Sequence, residues 1–359
     1  MLSLADLALD ETIKSFESAP CHPDERLNKE LAAAFFSRLS TSNINPSVGG
    51  EYIDNDEYWR HVCRDSGKSM GRSSDEHCFS YKQMYFENLI QEVATSDFAS
   101  TNALLERIRP YSDYIHSLRI GDLQHGFPVD VLCTNLPNLS RLELQFNRKC
   151  IQPESIKFQG LRHTIASAPF LTCLTLKNSH INDDDVAYIF SGAQYNLIHL
   201  DLSHNQISSM GLGVIVDTFI TPSSILSSLS LSGNKICYQG AVKLGAALGS
   251  NDSLMSLSLR LNNIQDNGGL ELFDGVAQNK GLVHINVSAN KLGSQSARAI
   301  IQAVNSNERI ESVLLTSNLF SHEAMQSLSL YKTCVIGSHI ELAPDGIGCL
   351  ASEVPCSKS

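Results

Sequence analysis

The side chains best suited to chemistry in this sequence are a histidine and an aspartate two positions apart, His199 and Asp201. Alternate residues of a strand point to the same face, so the imidazole and the carboxylate are expected side by side, as in acid–base and metal sites. His180 and His204 stand in the adjacent turns. No third ligand stands at a fixed offset from the pair, so the sequence predicts no catalytic, metal or cofactor site here.

Alternating serines are the second candidate for chemistry, at Ser228, Ser230 and Ser232. A nucleophilic serine needs a paired base or a strained G-x-S-x-G turn, and neither accompanies these residues. The glycine-containing stretch 211–217 lacks the Lys-Ser/Thr ending and the preceding strand of a phosphate loop. We interpret the serines as small polar residues on a solvated strand face and predict a chain that is not an enzyme.

The strands that carry these side chains belong to an internal repeat. Each copy follows the pattern L-x-x-L-x-L-x-x-N-x-L, as in LIHLDLSHNQI at 197–207, and the last four intervals between copies are 29, 28, 28 and 28 residues. The middle leucines alternate with polar residues, which indicates a short strand with one buried face. Self-similarity at this period predicts a solenoid. The seven copies begin at Leu139, Leu171, Leu197, Leu226, Leu254, Leu282 and Ile310.

The segments between the strands, such as 183–194, 238–250 and 294–307, have apolar residues at intervals of three and four, which predicts helices. Parallel strands stack about 4.8 Å apart, whereas helices need about 10 Å. The array must therefore curve into a horseshoe with a concave sheet. Pattern and period resemble the ribonuclease-inhibitor-like class of leucine-rich repeats, which implies an α/β solenoid that displays a surface to other proteins.

Two sets of positions in the repeat have predicted structural roles. The paired leucines at 200 and 202, 229 and 231, and 257 and 259 are expected in one continuous core. The ninth position is asparagine in every copy except one, which has Ser179. An amide both donates and accepts, so we expect it to satisfy backbone groups in the turn after the strand. These asparagines are Asn147, Asn205, Asn234, Asn262, Asn290 and Asn318.

The repeat also predicts which side chains cover the concave face. The central row is Glu143, Thr175, Asp201, Ser230, Ser258, Asn286 and Leu314, and the flanking row is Arg141, Cys173, His199, Ser228, Ser256, His284 and Ser312. This surface is small, rich in serine and weakly charged, whereas binding hot spots favour Trp, Tyr and Arg. Partner contact through the convex helices, the ends of the array or the N-terminal region is therefore expected at least as strongly as contact through the concave face. Arg141, Glu143, His199 and Asp201 are the candidate partner-binding residues of the sheet.

Composition narrows the class of protein. The formal net charge of −11 disfavours binding to nucleic acid or to an anionic membrane. No run of about 18 uncharged apolar residues occurs, and Asp6, Asp10 and Glu11 stand where a signal peptide needs a positive start. The ten cysteines form no C-x-x-C pair, and we interpret them as reduced thiols of a cytoplasmic protein.

The pattern divides the chain into four parts. Residues 1–53 form an N-terminal helical segment and linker, 54–135 a helical cap with a first irregular repeat, 136–332 the repeat array, and 333–359 a C-terminal cap and tail. Within the first two parts, helices are predicted at 22–40, 54–63 and 79–93, with a linker at 41–50. Ser80 and Gln83 have the spacing of a capping box.

Two segments ahead of the repeats resemble a known family. D-E-Y-W-x-x-x-C at 56–63 and S-Y-K-Q-M-Y-F-E at 80–87 are similar to the T-complex-associated testis-expressed protein 1 family, where Trp and Arg replace Tyr81 and Gln83. With the repeats, the resemblance covers roughly 54–320. It implies a non-catalytic scaffold subunit of the nexin–dynein regulatory complex, which links doublet microtubules in the axoneme of a cilium or flagellum and regulates dynein. Its partners would be other regulatory-complex subunits and axonemal proteins.

The aromatic residues of these segments have two open interpretations. Tyr58, Trp59, Tyr81, Tyr85 and Phe86 are expected either to cap the exposed end of the solenoid or to anchor a partner, and one segment can do both.

Two other functions compete with the axonemal one. An F-box-like substrate receptor of a ubiquitin ligase also places a helical domain before such repeats, but residues 1–53 lack its Leu-Pro opening. A Ran-type GTPase activator shares the repeat class, but its long acidic tail is missing from 341–359, where the acidic residues are Glu341, Asp345 and Glu353.

Overall fold

The computed structural model describes residues 53, 55–65, 80–86, 88, 109–123, 129–146, 158–191 and 195–336, with Ile13, Lys14, Phe35 and Leu39. The predicted helix at 22–40, apart from two of these single residues, the predicted linker at 41–50, Asn147 and the tail from 337 onward lie outside the described residues. Among those described, no helix is both long and apolar enough to cross a membrane.

Helices and strands alternate through most of the described chain. The helices are α1 (Asp56–Asp65), α2 (Val129–Thr134), α3 (Gln159–Ser167), α4 (Asp183–Ile189), α5 (Ser209–Phe219), α6 (Tyr238–Leu248), α7 (Gln265–Gln278), α8 (Ser294–Ser306) and α9 (His322–Leu328), with a 3-10 helix at Arg109–Tyr114. The strands are β1 (Ser117–Leu123), β2 (Arg141–Phe146), β3 (Cys173–Thr175), β4 (His199–Asp201), β5 (Ser228–Ser230), β6 (Ser256–Ser258), β7 (His284–Asn286), β8 (Ser312–Leu314) and β9 (Cys334–Val335). Residues 81–86 are also helical.

Within the described ranges, the nine strands form one parallel sheet in chain order from β1 to β9. Parallel neighbours cannot be joined by a tight hairpin, so each return segment crosses behind the sheet, mostly as a helix. The predicted α/β leucine-rich-repeat solenoid is confirmed. Its sheet begins before the first of the seven copies, at Ser117, and reaches Val335.

The core lies between the sheet and the helices. The six leucines predicted to share it are at most 2% exposed, which confirms that prediction. The buried apolar side chains of the described residues form one cluster along the whole array. Burial of each leucine contributes about 2 kcal/mol, and every unit shares this surface with the next.

The ninth-position asparagines join neighbouring repeats. Asn234 Nδ2 donates to the carbonyl of Leu231 in its own repeat and to that of Leu202 in the preceding repeat, both at 3.0 Å. Its Oδ1 accepts from the N–H of Ile207, also at 3.0 Å. The predicted role in the turn is confirmed, and the bonds to the preceding repeat extend it. The same arrangement recurs at Asn205, Asn262, Asn290 and Asn318.

Ser179 replaces asparagine at the ninth position of one copy, and its shorter side chain also bonds to its own turn and to the preceding repeat. The Ser179 hydroxyl lies 3.0 Å from the carbonyl of Lys177 and accepts from the N–H of Phe146, in the preceding repeat, at 3.2 Å. The position therefore joins two repeats even without an amide.

A second set of asparagines, spaced 28 residues apart, lies at the other edge of the sheet and was not predicted. Asn279 Nδ2 donates to the carbonyl of Leu248 at 2.7 Å, and its Oδ1 accepts from the N–H of Leu282 at 2.6 Å. Asn251 and Asn307 make related bonds where a helix gives way to the next strand. These asparagines could have been predicted from the sequence, because each stands three residues before the first apolar residue of a copy.

The residue before each ninth position has a left-handed backbone. Gly233, assigned to turn chemistry from the sequence, has a φ of +65°, which confirms that interpretation. Five other repeats place a non-glycine residue there, at roughly 1 kcal/mol or more each. The hydrogen bonds of the following residue hold the turn in this conformation. The five are Asn178, His204, Leu261, Ala289 and Ser317.

The N-terminus of α8 is capped by a side chain from the preceding repeat. Asp266 accepts from the N–H groups of Gly293, Gln295 and Ser296 at the start of α8, at 2.9, 3.1 and 2.7 Å. Burial opposes ionisation of this carboxyl, but the Ser296 hydroxyl and these N–H groups outweigh burial and lower the pKa of Asp266. A carboxylate is favoured here because backbone N–H groups converge at a helix N-terminus.

Replacing one ninth-position asparagine should weaken two repeats at once. We expect Asn234→Ala to lower the free energy of unfolding by about 2–4 kcal/mol, because it leaves buried carbonyl and N–H groups without partners. Urea unfolding followed by circular dichroism measures the loss. The control is Asn267→Ala on the exposed side of α7, which should change stability by less than about 0.5 kcal/mol. Equal effects of the two variants would contradict a linking role.

The Asp266 cap should make stability depend on pH. Because its pKa is lower in the folded state, its contribution is present above the unfolded value of about 3.9 and is lost as the pH falls through the folded value. We expect Asp266→Asn to be less stable than the wild type at pH 7, with the difference shrinking below about pH 4. Denaturant unfolding at several pH values tests this, with Glu271→Gln on the same helix as the control. A constant difference would contradict the assignment.

Candidate functional site

The aromatic residues ahead of the repeats form one cluster around Trp59. Its ring centroid lies 5.3 Å from that of Tyr85 and 5.2 Å from that of Phe86, and Tyr58 packs edge-on at 5.5 Å. The indole N–H donates to the carbonyl of Ile53 at 2.9 Å. Clustered rings of this kind bury large apolar areas while the polar atom keeps a partner.

Contacts between side chains and backbone join the two segments of the cluster. The N–H of Tyr81 donates to Asp56 at 2.5 Å, and the Cys63 thiol lies 3.5 Å from the carbonyl of Tyr81. Ser80 and Gln83 exchange side-chain to backbone hydrogen bonds at 3.2 and 3.4 Å, which confirms the predicted capping box.

The cluster packs on the 3-10 helix that precedes the first strand of the solenoid. Phe86 stacks on Tyr114 with ring centroids 5.3 Å apart and an interplanar angle of 21°. Tyr114 ends the 3-10 helix that leads into β1, and Lys82 Nζ lies 4.5 Å above its ring. The contact of Phe86 with Tyr114 agrees with the predicted packing of this region on the first repeat. A capping role for its aromatic residues stays a prediction.

The cap leaves little aromatic surface exposed. Tyr58, Trp59, Tyr85 and Phe86 are buried, whereas Tyr81 is half-buried beside Arg60. Binding of a partner by these five residues stays a prediction, with Tyr81 the member that reaches the surface.

The candidate residues of the sheet stand in two aligned rows, as expected. Arg141 pairs with Cys173 and then His199 along one row, and Glu143 pairs with Thr175 and then Asp201 along the other. All four candidates are half-buried on the face away from the helices. The register thus places Arg141, Glu143, His199 and Asp201 on one surface, two strands apart, and their role in binding stays a prediction.

The two carboxylates of this surface are already in ion pairs. Glu143 lies 3.1 Å from the guanidinium of Arg119, and Asp201 lies 3.2 Å from Lys177 Nζ. Asp201 also accepts from the N–H and hydroxyl of Ser203, at 2.9 and 2.5 Å. Such half-exposed pairs contribute little to stability, but they position the charges that a partner meets.

Serine hydroxyls continue from Asp201 across the next strands. Ser203 lies 2.7 Å from Ser230, and Ser232 lies 2.7 Å from Ser258. The hydroxyls bond to one another, which fits the interpretation of these residues as polar filler. Over the described ranges, no three His, Cys, Asp or Glu side chains are grouped so that they could hold a metal ion.

Four exposed apolar residues near the starts of strands were missed from the sequence. They are Phe170, Ile198, Ile225 and Met255, one at each of four successive repeats and 36–60% exposed. Phe170 and Ile225 precede the first leucine of their copies, whereas Ile198 and Met255 follow it. Ile198 and Met255 therefore stand on one row of the ladder, on either side of Ser227.

The five cysteines in the described ranges are free thiols. Burial raises the pKa of Cys133 to about 12 and also raises that of Cys334. At the N-terminal end of α6, burial opposes ionisation of Cys237, but hydrogen bonds from Ser209 and from backbone N–H groups lower its pKa. Buried thiols are poor nucleophiles, which applies to Cys133 and Cys334, whereas Cys237 is only half-buried.

The repeat assignment agrees with a comparison to known protein families. A family model described as "Leucine Rich repeat" matches residues 196–216 and 250–273. A structure of the leucine-rich repeat domain of APL1B aligns with a TM-score of 0.37 and 18% identity, over 70% of this chain and 68% of that chain. The structure of leiomodin-1 actin-binding site 2 aligns with a TM-score of 0.31 and 16% identity, over 51% of this chain and 86% of that chain.

No curated protein matches this chain in sequence. The family match and the nine-stranded parallel sheet of the described residues agree on a leucine-rich-repeat fold. Folds of this class typically act as non-enzymatic modules for binding other proteins.

Loss of one ring should open the cap. Trp59 is the only tryptophan of the sequence, so its fluorescence reports on the cluster directly. We expect Phe86→Ala to lower the free energy of unfolding by about 3–5 kcal/mol and to shift the emission of Trp59 to longer wavelength. The matched control is Tyr81→Ala at the half-buried ring, with an expected loss of less than about 2 kcal/mol. Unchanged emission in Phe86→Ala would show that the ring does not seal the cluster.

Proposed function

We propose that this chain is a non-catalytic scaffold subunit of the nexin–dynein regulatory complex in the axoneme of a cilium or flagellum. It would help to link doublet microtubules and to regulate dynein-driven motility. The coarser role, a scaffold that binds other proteins, follows from the repeat fold, because a solenoid displays a long surface.

The axonemal proposal rests on one observation: the two segments that resemble the family pack together as one folded unit. Residues 56–63 and 80–86 are joined by the Tyr81–Asp56 hydrogen bond and by the packing of Trp59 on Phe86. The resemblance therefore concerns one folded unit rather than two unrelated stretches. Since that unit is fixed to the first repeat, cap and array would enter an assembly as one body.

The described surface supports a role in binding rather than in chemistry. Asp201 and Glu143 are held in ion pairs, and the serines bond to one another. We expect the partners to be other subunits of the complex and further axonemal proteins, with no nucleic acid, membrane or small-molecule substrate.

Localisation in a ciliated cell tests the proposal. A tagged copy should fractionate with axonemes and stay bound after detergent and moderate salt, because a structural subunit is held by many contacts. A tagged Phe86→Ala variant measures how far an intact cap is needed for incorporation. The matched control is Glu57→Ala at an exposed position of α1, which should leave the cap closed.

Two outcomes would contradict the axonemal function and favour an alternative. A soluble pool bound to a ubiquitin-ligase adaptor would favour an F-box-like receptor. Acceleration of GTP hydrolysis by a small GTPase on addition of the purified chain would favour a Ran-type activator.

A further inference from the structure

The two ends of the described array differ in how they are covered. At the N-terminal end, Phe86 stacks on Tyr114, which leads into β1. At the other end, β9 pairs with β8 on one side, and no described strand pairs with its second side. The sheet of the described residues therefore stops at an edge strand, and an edge strand is a template for pairing with another chain.

The helix of this last unit is also poorly covered. α9 buries one residue, Leu328, whereas α8 in the preceding unit buries five. Leu330, between α9 and β9, is 81% exposed, and Met325 on α9 is 39% exposed. Tyr331 and Ile336 pack against the core but stay half-buried. We call the surface formed by α9, Leu330 and β9 the C-terminal face, and exposed apolar surface of this kind marks an interaction site.

Two backbone groups of the C-terminal face point away from β8. The carbonyls of Thr333 and Val335 accept from N–H groups of β8, at 2.8 and 2.9 Å. Backbone groups of successive residues alternate in direction along a strand. The carbonyl of Cys334 and the N–H of Ile336 are therefore directed outward, away from the sheet. The N–H of Cys334 already donates to the carbonyl of Tyr331 at 3.0 Å.

The spacing of these two groups matches antiparallel pairing with an identical strand. When Val335 of one copy stands opposite Val335 of another as a non-hydrogen-bonded pair, each Ile336 N–H meets the Cys334 carbonyl of the other copy. The two-fold axis of this pairing runs perpendicular to the sheet. It therefore places both sheets in one layer and both copies of α9 in the other, so the two layers of the solenoid continue together.

The charges of the last unit are self-complementary under this symmetry. Apart from His322, its charged residues are Glu323 and Lys332, both exposed, so residues 319–336 are neutral in a chain with a net charge of −11. Neither takes part in an ion pair within the described ranges. Glu323 lies in the first turn of α9, at the carboxyl edge of the sheet, and Lys332 precedes β9, at the amino edge. The two-fold axis exchanges these edges, so each Lys332 comes to the same edge as the Glu323 of the other copy, which favours association.

We propose that the C-terminal face binds a second copy of this chain and forms a two-fold symmetric dimer. The two sheets continue into one another at β9, and Leu330 and Met325 are buried at the contact. The concave faces of both copies lie on the same side, so one dimer offers two binding surfaces to its partners. Dimerisation is independent of the axonemal role, because it rests on the described end of the array alone.

The mass of the purified full chain in solution tests the dimer. Sedimentation equilibrium over about 1–100 μM covers the affinity expected of a small interface and should show a monomer–dimer equilibrium. Leu330→Ser should weaken dimerisation about tenfold, because it removes apolar area from the contact. The matched control is Met210→Ser on α5, where the methionine is 78% exposed, and it should dimerise as the wild type does. Circular dichroism establishes that each variant is folded.

Charge reversals test the symmetry of the dimer. Lys332→Glu and Glu323→Lys each bring like charges to the contact, and each should weaken self-association about tenfold. Mixed in equal amounts, the two variants should form a dimer again, because each copy then supplies the charge that the other needs. Two variants that had merely failed to fold would not recover on mixing. The control is Lys280→Glu, at an exposed position between α7 and β7, which should dimerise as the wild type does.

Several results would overturn the dimer. They are a monomer over the whole concentration range, a dimer unaffected by Leu330→Ser and by both charge reversals, and no recovery when the two charge variants are mixed. A wild-type monomer that dimerises once residues 337–359 are removed would show that this segment of the chain itself covers the face.

Incorporation into axonemes separates this result from the proposed function. A monomer that enters axonemes removes the dimer and leaves the axonemal role standing. A dimer that does not enter axonemes removes the axonemal role and leaves the dimer standing.

Discussion

Hydrogen bonding between successive repeats is the constraint on which the rest of this structure depends. A strand of three residues makes few ladder bonds, so each unit is too small to be stable alone. The ninth-position asparagines bind the preceding repeat as well as their own turn, and Asn251, Asn279 and Asn307 do the same at the opposite edge. Adjacent repeats therefore stabilise one another, as expected for a solenoid.

The open end of such an array needs a cover, because the first repeat has no neighbour to bury its apolar side. Trp59 and Phe86 supply that cover, and Tyr114 connects it to β1. The same residues carry the family resemblance, so their similarity reflects at least a structural requirement. Any role in assembly must use what the cap leaves at the surface, such as the half-buried ring of Tyr81.

The same regularity explains why the sheet face favours binding over catalysis. Side chains repeat along rows at one spacing, so like residues stand beside like residues, as the serines do at β5 and β6. Catalysis needs different groups converging on one atom. A row of similar groups instead matches an extended partner.

The sequence by itself determined the strand positions, the core leucines, the turn at Gly233 and the capping box at Ser80, because each follows from local periodicity or from bonds within a few residues. It also placed His199 and Asp201 on one face. Only the tertiary structure decided that Asp201 pairs with Lys177, that Asp266 caps the next helix and that Ile198 and Met255 stand on one row with Ser227 between them. Those contacts join residues more than twenty positions apart or depend on stacking between repeats, and a local pattern contains no information on either.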